Sequence, residues 1–186
     1  YSPSNPTNSE EIFAIKFSQQ KALGSYLPTY AFEGRALQAG LAARGISALM
    51  VRDCPLVRGW DKKDLRRTWN LMDTITINGT RIRANMIPGS IYMFGKYRDG
   101  AAPEETASGN DFYLYRFAEA LLIFAECENQ LNGPSAAAYD AVNQVRRRGY
   151  GFDITRANTI SDFPIGLSKE KFDDLIFQER GYGRFV

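Results

Sequence analysis

Tyr115-Arg116-Phe117-Ala118-Glu119-Ala120-Leu121-Leu122-Ile123-Phe124-Ala125-Glu126 decides how this chain is read. The stretch lies within residues 111–131, which hold no Gly or Pro and end at Asn132-Gly133-Pro134. That triplet is a helix stop, and it leaves Ser135 as the next N-cap. A helix over 111–131 is predicted, and it is apolar nearly all round. Phe112, Tyr113, Tyr115, Phe117, Leu121, Leu122, Phe124 and Cys127 cover most of its circumference, so the aromatics of 112–124 are expected in the core. Arg116, Glu119 and Glu126 form one narrow polar stripe. Arg116 and Glu119, at i and i+3, are expected to pair and to tie helices together. A helix apolar on so many sides needs several neighbours, which marks the chain as a piece of something larger.

Working outward, a second helix is predicted from Ser135 to Arg148, ending at Gly149, and a third from Ser168, with Phe172, Leu175 and Ile176 at helical spacing. Upstream the character changes. Residues 1–9 read as a polar surface segment, Glu11–Phe17 as a strand, 18–34 as a loop and Leu37–Ala43 as a short helix. Residues 44–63 read as irregular and 99–110 as a loop or linker. Thr74-Ile-Thr-Ile77, Asn78-Gly79 and Thr80-Arg-Ile-Arg83 predict a β-hairpin, because Asn and Gly tolerate the positive φ of a type I′ turn.

Composition narrows the function. The chain has 186 residues, with 23 Lys plus Arg against 21 Asp plus Glu, a formal charge of +2. This lacks the basic field that nucleic-acid binding needs, and the Arg146-Arg147-Arg148 run reads as complementing a helix C-terminus. With no His at all, His-dependent triads and the commonest metal ligand are excluded. Cys54 and Cys127 are too few for a zinc or redox motif and are expected as buried free thiols. No apolar window of ~20 residues exists to span a membrane, and residues 1–6 lack a signal peptide's charged start and apolar run.

Several segments together resemble the SusD/RagB family of surface glycan-binding lipoproteins. Tyr115–Glu126 resembles that family's "RyAEvLLmyAEA" helix. Asn143-Gln-Val-Arg-Arg-Arg-Gly149 follows at the family's spacing, and Ser168–Ile176 with Glu179-Arg180 resembles its closing "ER" helix. Ser9-Glu10-Glu11-Ile12-Phe13, Asp64-Leu65-Arg66 and Lys96-Tyr97 are weaker matches. After Glu179-Arg180 the family's pattern continues, whereas here Gly181–Val186 ends the chain, so 1–186 is expected to be the C-terminal part of a longer SusD-like domain. Within it, 1–110 is expected to be loop- and β-rich and 111–186 helical.

The resemblance implies a mainly α fold of tetratricopeptide-like helix pairs with irregular loops and a small β-hairpin. It implies a non-catalytic protein on the bacterial outer membrane, held by a lipid anchor outside this sequence. Its role would be to capture oligosaccharide or polysaccharide and deliver it to a SusC-like TonB-dependent transporter, with no cofactor. The alternative is a helical-repeat scaffold that captures peptide or protein, as in RagB-like branches.

Sugar binding needs flat aromatic faces outside the core. Tyr26 and Tyr30, bracketing Pro28, and Trp60, after Gly59, are the candidate ligand-binding residues. Trp69, just before the hairpin, reads as core. A stacked sugar covering about half of a ring contributes about 2–3 kcal/mol, so two platforms reach roughly millimolar to tens-of-micromolar affinity. A glycosidase would need two facing carboxylates about 5–5.5 or 6.5–9.5 Å apart. Glu104-Glu105 and Asp173-Asp174 are adjacent pairs that diverge, and Glu119 and Glu126 rise ~10.5 Å apart along one helix, beside Arg116. No pair suits hydrolysis.

Overall fold

The structure, a computed structural model, describes residues 9–46, 49–84 and 88–184. Of the expected surface segment over 1–9, all but Ser9 lies outside the described residues. The elements in chain order are β1 (Glu11–Ile15), α1 (Leu27–Ala31), β2 (Met50–Arg52), α2 (Pro55–Gly59), α3 (Leu65–Asn70), β3 (Leu71–Met72), β4 (Thr74–Ile77) and β5 (Thr80–Arg83). They continue as β6 (Ser90–Phe94), β7 (Phe112–Arg116), α4 (Phe117–Asn132), α5 (Ala136–Gly149) and α6 (Lys169–Arg184). Seven short strands among the described residues give a larger β share than the expected strand at 11–17 and hairpin at 74–83, so the fold is mixed α and β. No helix among the described residues is long and apolar enough to cross a membrane.

The chain forms two compact units. Among the described residues the first comprises 9–46, 49–55, 69–84 and 88–115, and the second 56–68 and 116–184.

In the first unit β6 is the centre of a three-stranded antiparallel sheet between β2 and β3. β1 pairs with β7, and β4 with β5 across the Asn78-Gly79 turn, whose φ values are 49° and 77°. The core is built from small residues, Ala31, Ala36, Ala42 and Ala84, around Phe32, Ile75 and Met93. Gly45 permits one close approach: a Cβ there would lie 1.9 Å from the Glu33 carbonyl oxygen. The expected helix over 37–43 is a series of turns ended by Gly40 at φ 63°. The expected loop at 18–34 contains α1 instead, because Pro28 pre-sets the first helical turn.

The predicted helix over 111–131 begins only at Phe117. Phe112–Arg116 is a strand because aromatic residues suit a pleated surface and β1 supplies the ladder partner, although no breaker stands before Phe117. Arg116 is extended, at φ −130° and ψ 157°, and serves as the N-cap.

In the second unit α4 packs on α5 and α6. Leu122, Ala125, Val142, Val145, Phe172 and Ile176 form the centre of its core. Tyr139 closes it at one end, its hydroxyl donating to the Pro164 carbonyl and accepting from the Leu167 N–H, both at 3.1 Å. The expected core position of every aromatic in 112–124 is corrected: Tyr115, Phe117 and Phe124 are about half exposed. Phe117, Ala120, Ile123, Phe124, Cys127 and Leu131 occupy an arc of about 120° opposite the buried Ala118, Leu122 and Ala125. The helix is therefore apolar on two opposed faces, and only one of them is covered by described residues. Cys127 is exposed and Cys54 half-buried, both free, so the expected burial of the thiols does not hold.

Ser135 caps α5, its hydroxyl accepting from the Ala138 N–H at 3.2 Å. Replacing Ser135 by Ala is expected to cost about 1 kcal/mol, read as a shifted urea midpoint at unchanged slope.

Candidate functional site

The first unit presents an aromatic pair. Pro28, Thr29, Ala31 and Phe32 are buried and fix α1 to the unit's core. Backbone bonds from Ile46 N–H to Thr29 and from Leu49 N–H to Ala31, both at 3.0 Å, hold its outer side, and the Thr29 hydroxyl donates to the Glu105 carbonyl at 3.2 Å. Just upstream, Gly24 and Ser25 bond to Thr106 and Ser108. A Cβ on Gly24 would sit 2.3 Å from the Ala107 Cα, so the close approach requires glycine. On this fixed base Tyr26 and Tyr30, four residues apart, project outward at 49% and 51% exposure. Their ring centroids lie 6.5 Å apart with the planes tilted by 42°. Neither hydroxyl has a hydrogen-bond partner among the described residues.

Trp60, the third candidate, lies in the second unit and is only 2% exposed. Its indole stacks on Tyr182 at 4.8 Å and donates to the Asp64 carboxylate at 2.9 Å. It forms part of the wall of a cleft of about 410 Å³, which Asp61, Tyr150, Lys171 and Gln178 also line. Burial, together with the bond to Asp61, pushes the Tyr150 hydroxyl up to about 12, so it stays protonated as a donor. The structure thus brings Tyr26 and Tyr30 together and places Trp60 in other surroundings.

Trp69, expected in the core, is 47% exposed, with the Arg98 guanidinium 4.1 Å from its ring centroid. Its place at the end of a short helix, next to a basic pair, carried no signal of this. The partner is 29 residues away.

Beneath the second unit's cleft lies a buried ion cluster. Glu179, fully buried, accepts from Arg66 at 2.7 Å and from Arg146 at 3.0 Å. Asp64 accepts from Arg66 at 2.6 Å and takes the Trp60 indole as well. Burial works against the charge of Arg66, but the Glu179 and Asp64 carboxylates outweigh it and raise its pKa. A Cβ on Gly149 would lie 2.5 Å from the Arg66 guanidinium, so the glycine leaves room for it. Arg147 is bound to Asp162, and Arg146 also donates to the Ser161 carbonyl, so these two basic residues are committed within the unit. Arg116 does not pair with Glu119. It donates to the Gly183 carbonyl at 2.7 Å, and Glu119 binds Arg180 and Arg184 on α6. The helix tie exists, with different partners. Among the described residues no three acidic or thiol side chains gather as metal ligands.

The residues of this cluster, Asp64, Arg66, Arg146, Gly149 and Glu179, come from three separate segments of the sequence. A family model described as the SusD family matches residues 60–182, which contain all three. The chain belongs to the SusD family. A SusD-like protein, P25, from Formosa agariphila is 30% identical over 158 residues, covering 82% of this chain and 27% of the relative. A SusD superfamily structure from Parabacteroides distasonis matches 97% of this chain and 38% of its own, at 19% identity and a TM-score of 0.68. Surface glycan-binding protein A from Bacteroides thetaiotaomicron, in complex with laminarihexaose, matches 93% and 39% at 20% identity and a TM-score of 0.62. These structures show a SusD-like fold. The chain spans about a quarter of the length of the P25 relative and about two fifths of the solved SusD-like chains.

Proposed function

We propose that this chain is the C-terminal part of a non-catalytic SusD-like protein that captures oligosaccharide or polysaccharide at the bacterial cell surface. It would deliver the glycan to a SusC-like TonB-dependent transporter in the outer membrane, held there by a lipid anchor outside these residues. The α4–α5 pair is read as a tetratricopeptide-like unit of that fold. The observation that carries the reading is the Tyr26–Tyr30 pair: two half-exposed rings on a fixed helix, with hydroxyls free to meet sugar hydroxyls. Family membership and the neighbour whose structure holds laminarihexaose support it. Trp60 has almost no accessible ring and serves the cleft wall in this reading, not a stacking platform.

Affinity electrophoresis in laminarin-containing gels, with a panel of other neutral glycans, tests the proposal. Tyr26→Ala and Tyr30→Ala are each expected to weaken retention about tenfold, and the double variant to abolish it, at unchanged far-ultraviolet dichroism. A double variant that migrates like the parent in every gel that retards the parent would sink the proposal. Retention by immobilised peptides in place of glycans would favour the RagB-like alternative.

A further inference from the structure

The cleft of the second unit holds hydrogen-bonding groups that the fold does not use. Lys171, Leu175, Gln178 and Tyr182 recur every three or four residues along α6 and form one stripe on it. All four line the cleft, and the helical rise makes the stripe about 16 Å long. Tyr182 is 7% exposed, with its ring stacked on Trp60 at 4.8 Å. Its hydroxyl has no hydrogen-bond partner among the described residues, and neither has the Gln178 amide. Gly59, also in the cleft lining, leaves that hydroxyl uncovered, since the Cβ it lacks would lie 3.5 Å from the oxygen. A buried hydroxyl left unpaired is unfavourable, and a ligand group relieves it.

Opposite charges stand at the two ends of the stripe. Asp61, next to Trp60, accepts from the Lys63 N–H and from the Tyr150 hydroxyl, both at 2.9 Å. These bonds hold its carboxyl below the usual range, and as an exposed carboxylate it keeps lone pairs for a further donor. At the other end the Lys171 ammonium has no partner among the described residues. The remaining charges of the lining, Asp64, Arg146 and Asp162, are already paired within the unit.

This is not the chemistry of a sugar platform. Trp60, Tyr150 and Phe163 are 2%, 8% and 7% exposed. Tyr182 stacks on the first, and the Arg146 guanidinium lies over the other two. The more accessible apolar wall is aliphatic, from Ile160, Pro164, Leu167 and Leu175. An extended polypeptide matches such a lining. Its N–H and C=O groups suit an amide and a hydroxyl that both donate and accept, and its side chains suit the aliphatic wall. At ~3.3 Å per residue, about five residues span the stripe.

We propose that this cleft docks an extended segment of a partner polypeptide, with aliphatic side chains between a basic and an acidic residue. The basic residue pairs with Asp61 and the acidic one with Lys171, while Gln178 and Tyr182 bond to the backbone between them. The site belongs to the other unit from the Tyr26–Tyr30 pair and does not depend on the glycan-binding reading.

Titration with acetyl-Lys-Leu-Ala-Leu-Glu amide tests this, with acetyl-Gln-Leu-Ala-Leu-Gln amide and laminarihexaose as controls. Trp69→Phe leaves Trp60 as the sole tryptophan, so its emission reports on the cleft wall. The charged peptide is expected to shift that emission and to bind about tenfold more tightly than the uncharged one. Asp61→Asn should weaken the charged peptide about fivefold and leave the uncharged one unchanged. Tyr182→Phe should weaken both about tenfold at an unchanged melting midpoint. Tyr26→Ala/Tyr30→Ala should leave both intact. The inference is overturned if the charged peptide does not bind, or binds without moving Trp60 emission. It is also overturned if Asp61→Asn weakens both peptides alike, or if folded Tyr182→Phe binds as the parent does. Peptide binding lost with Tyr26 and Tyr30, or Trp60 emission moved by laminarihexaose alone, overturns it as well. Laminarin retention is read separately, so this inference and the glycan-binding reading can each fail alone.

Discussion

Replacing Glu179 by Gln is expected to destabilise the chain by about 3–5 kcal/mol, the cost of breaking a buried ion pair from one side. For a chain of this size that lowers Tm by about 10 °C. Glu179 is fully buried and divides its two oxygens between Arg66 and Arg146. The amide keeps the shape and removes the charge, so two guanidiniums remain in the interior with Asp64 as the nearest counter-charge described. The nitrogen of the amide also turns one acceptor into a donor facing a donor. Differential scanning calorimetry checks the midpoint. Because the cluster is buried, the deficit should be nearly the same at 0.1 and 1 M NaCl. A loss below 1 kcal/mol would show that Arg66 and Arg146 find other partners.

Phe172→Ala should cost a similar amount, about 3–5 kcal/mol, for a different reason. The ring is fully buried, with Tyr139 at 4.7 Å and Phe163 edge-on at 6.2 Å, so truncation leaves a cavity that helices cannot collapse into. One and a half turns further along the same helix, Phe177 is 74% exposed. Phe177→Ala should change stability by no more than about 0.5 kcal/mol. Urea titration of both variants compares the two sites directly. Equal losses would contradict the assigned burial of α6.

The features legible in the sequence are those set by local chemistry. Asn78-Gly79 marked its turn because few other dipeptides accept two positive φ values. Ser135 marked its cap, and the run after Ser168 its amphipathic helix, for equally local reasons. What escaped was set by partners distant in sequence. Phe112–Arg116 became a strand because β1, a hundred residues earlier, lies beside it. Trp60 and Trp69 exchanged their expected surroundings for the same reason. Tyr182 and Asp64 enclose the first, and Arg98 props the second outward. Tyr26 and Tyr30 were legible as candidates because Pro28 between them marks a turn onto the surface, although their four-residue spacing on a helix was not foreseen.

The Arg66–Glu179 bond joins residues 113 apart in the chain. Closing so long a loop carries an entropic cost that local contacts do not share, and it comes due before the ion pair returns anything. The α4–α5 hairpin, whose helices are joined by three residues, can form early. The charge cluster must wait for two distant segments, Arg66 ahead of the helices and Glu179 on α6. During synthesis, then, Asp64 and Arg66 leave the ribosome long before their counterpart exists. The buried charge cluster is thus a late lock, engaged only once α6 has been made.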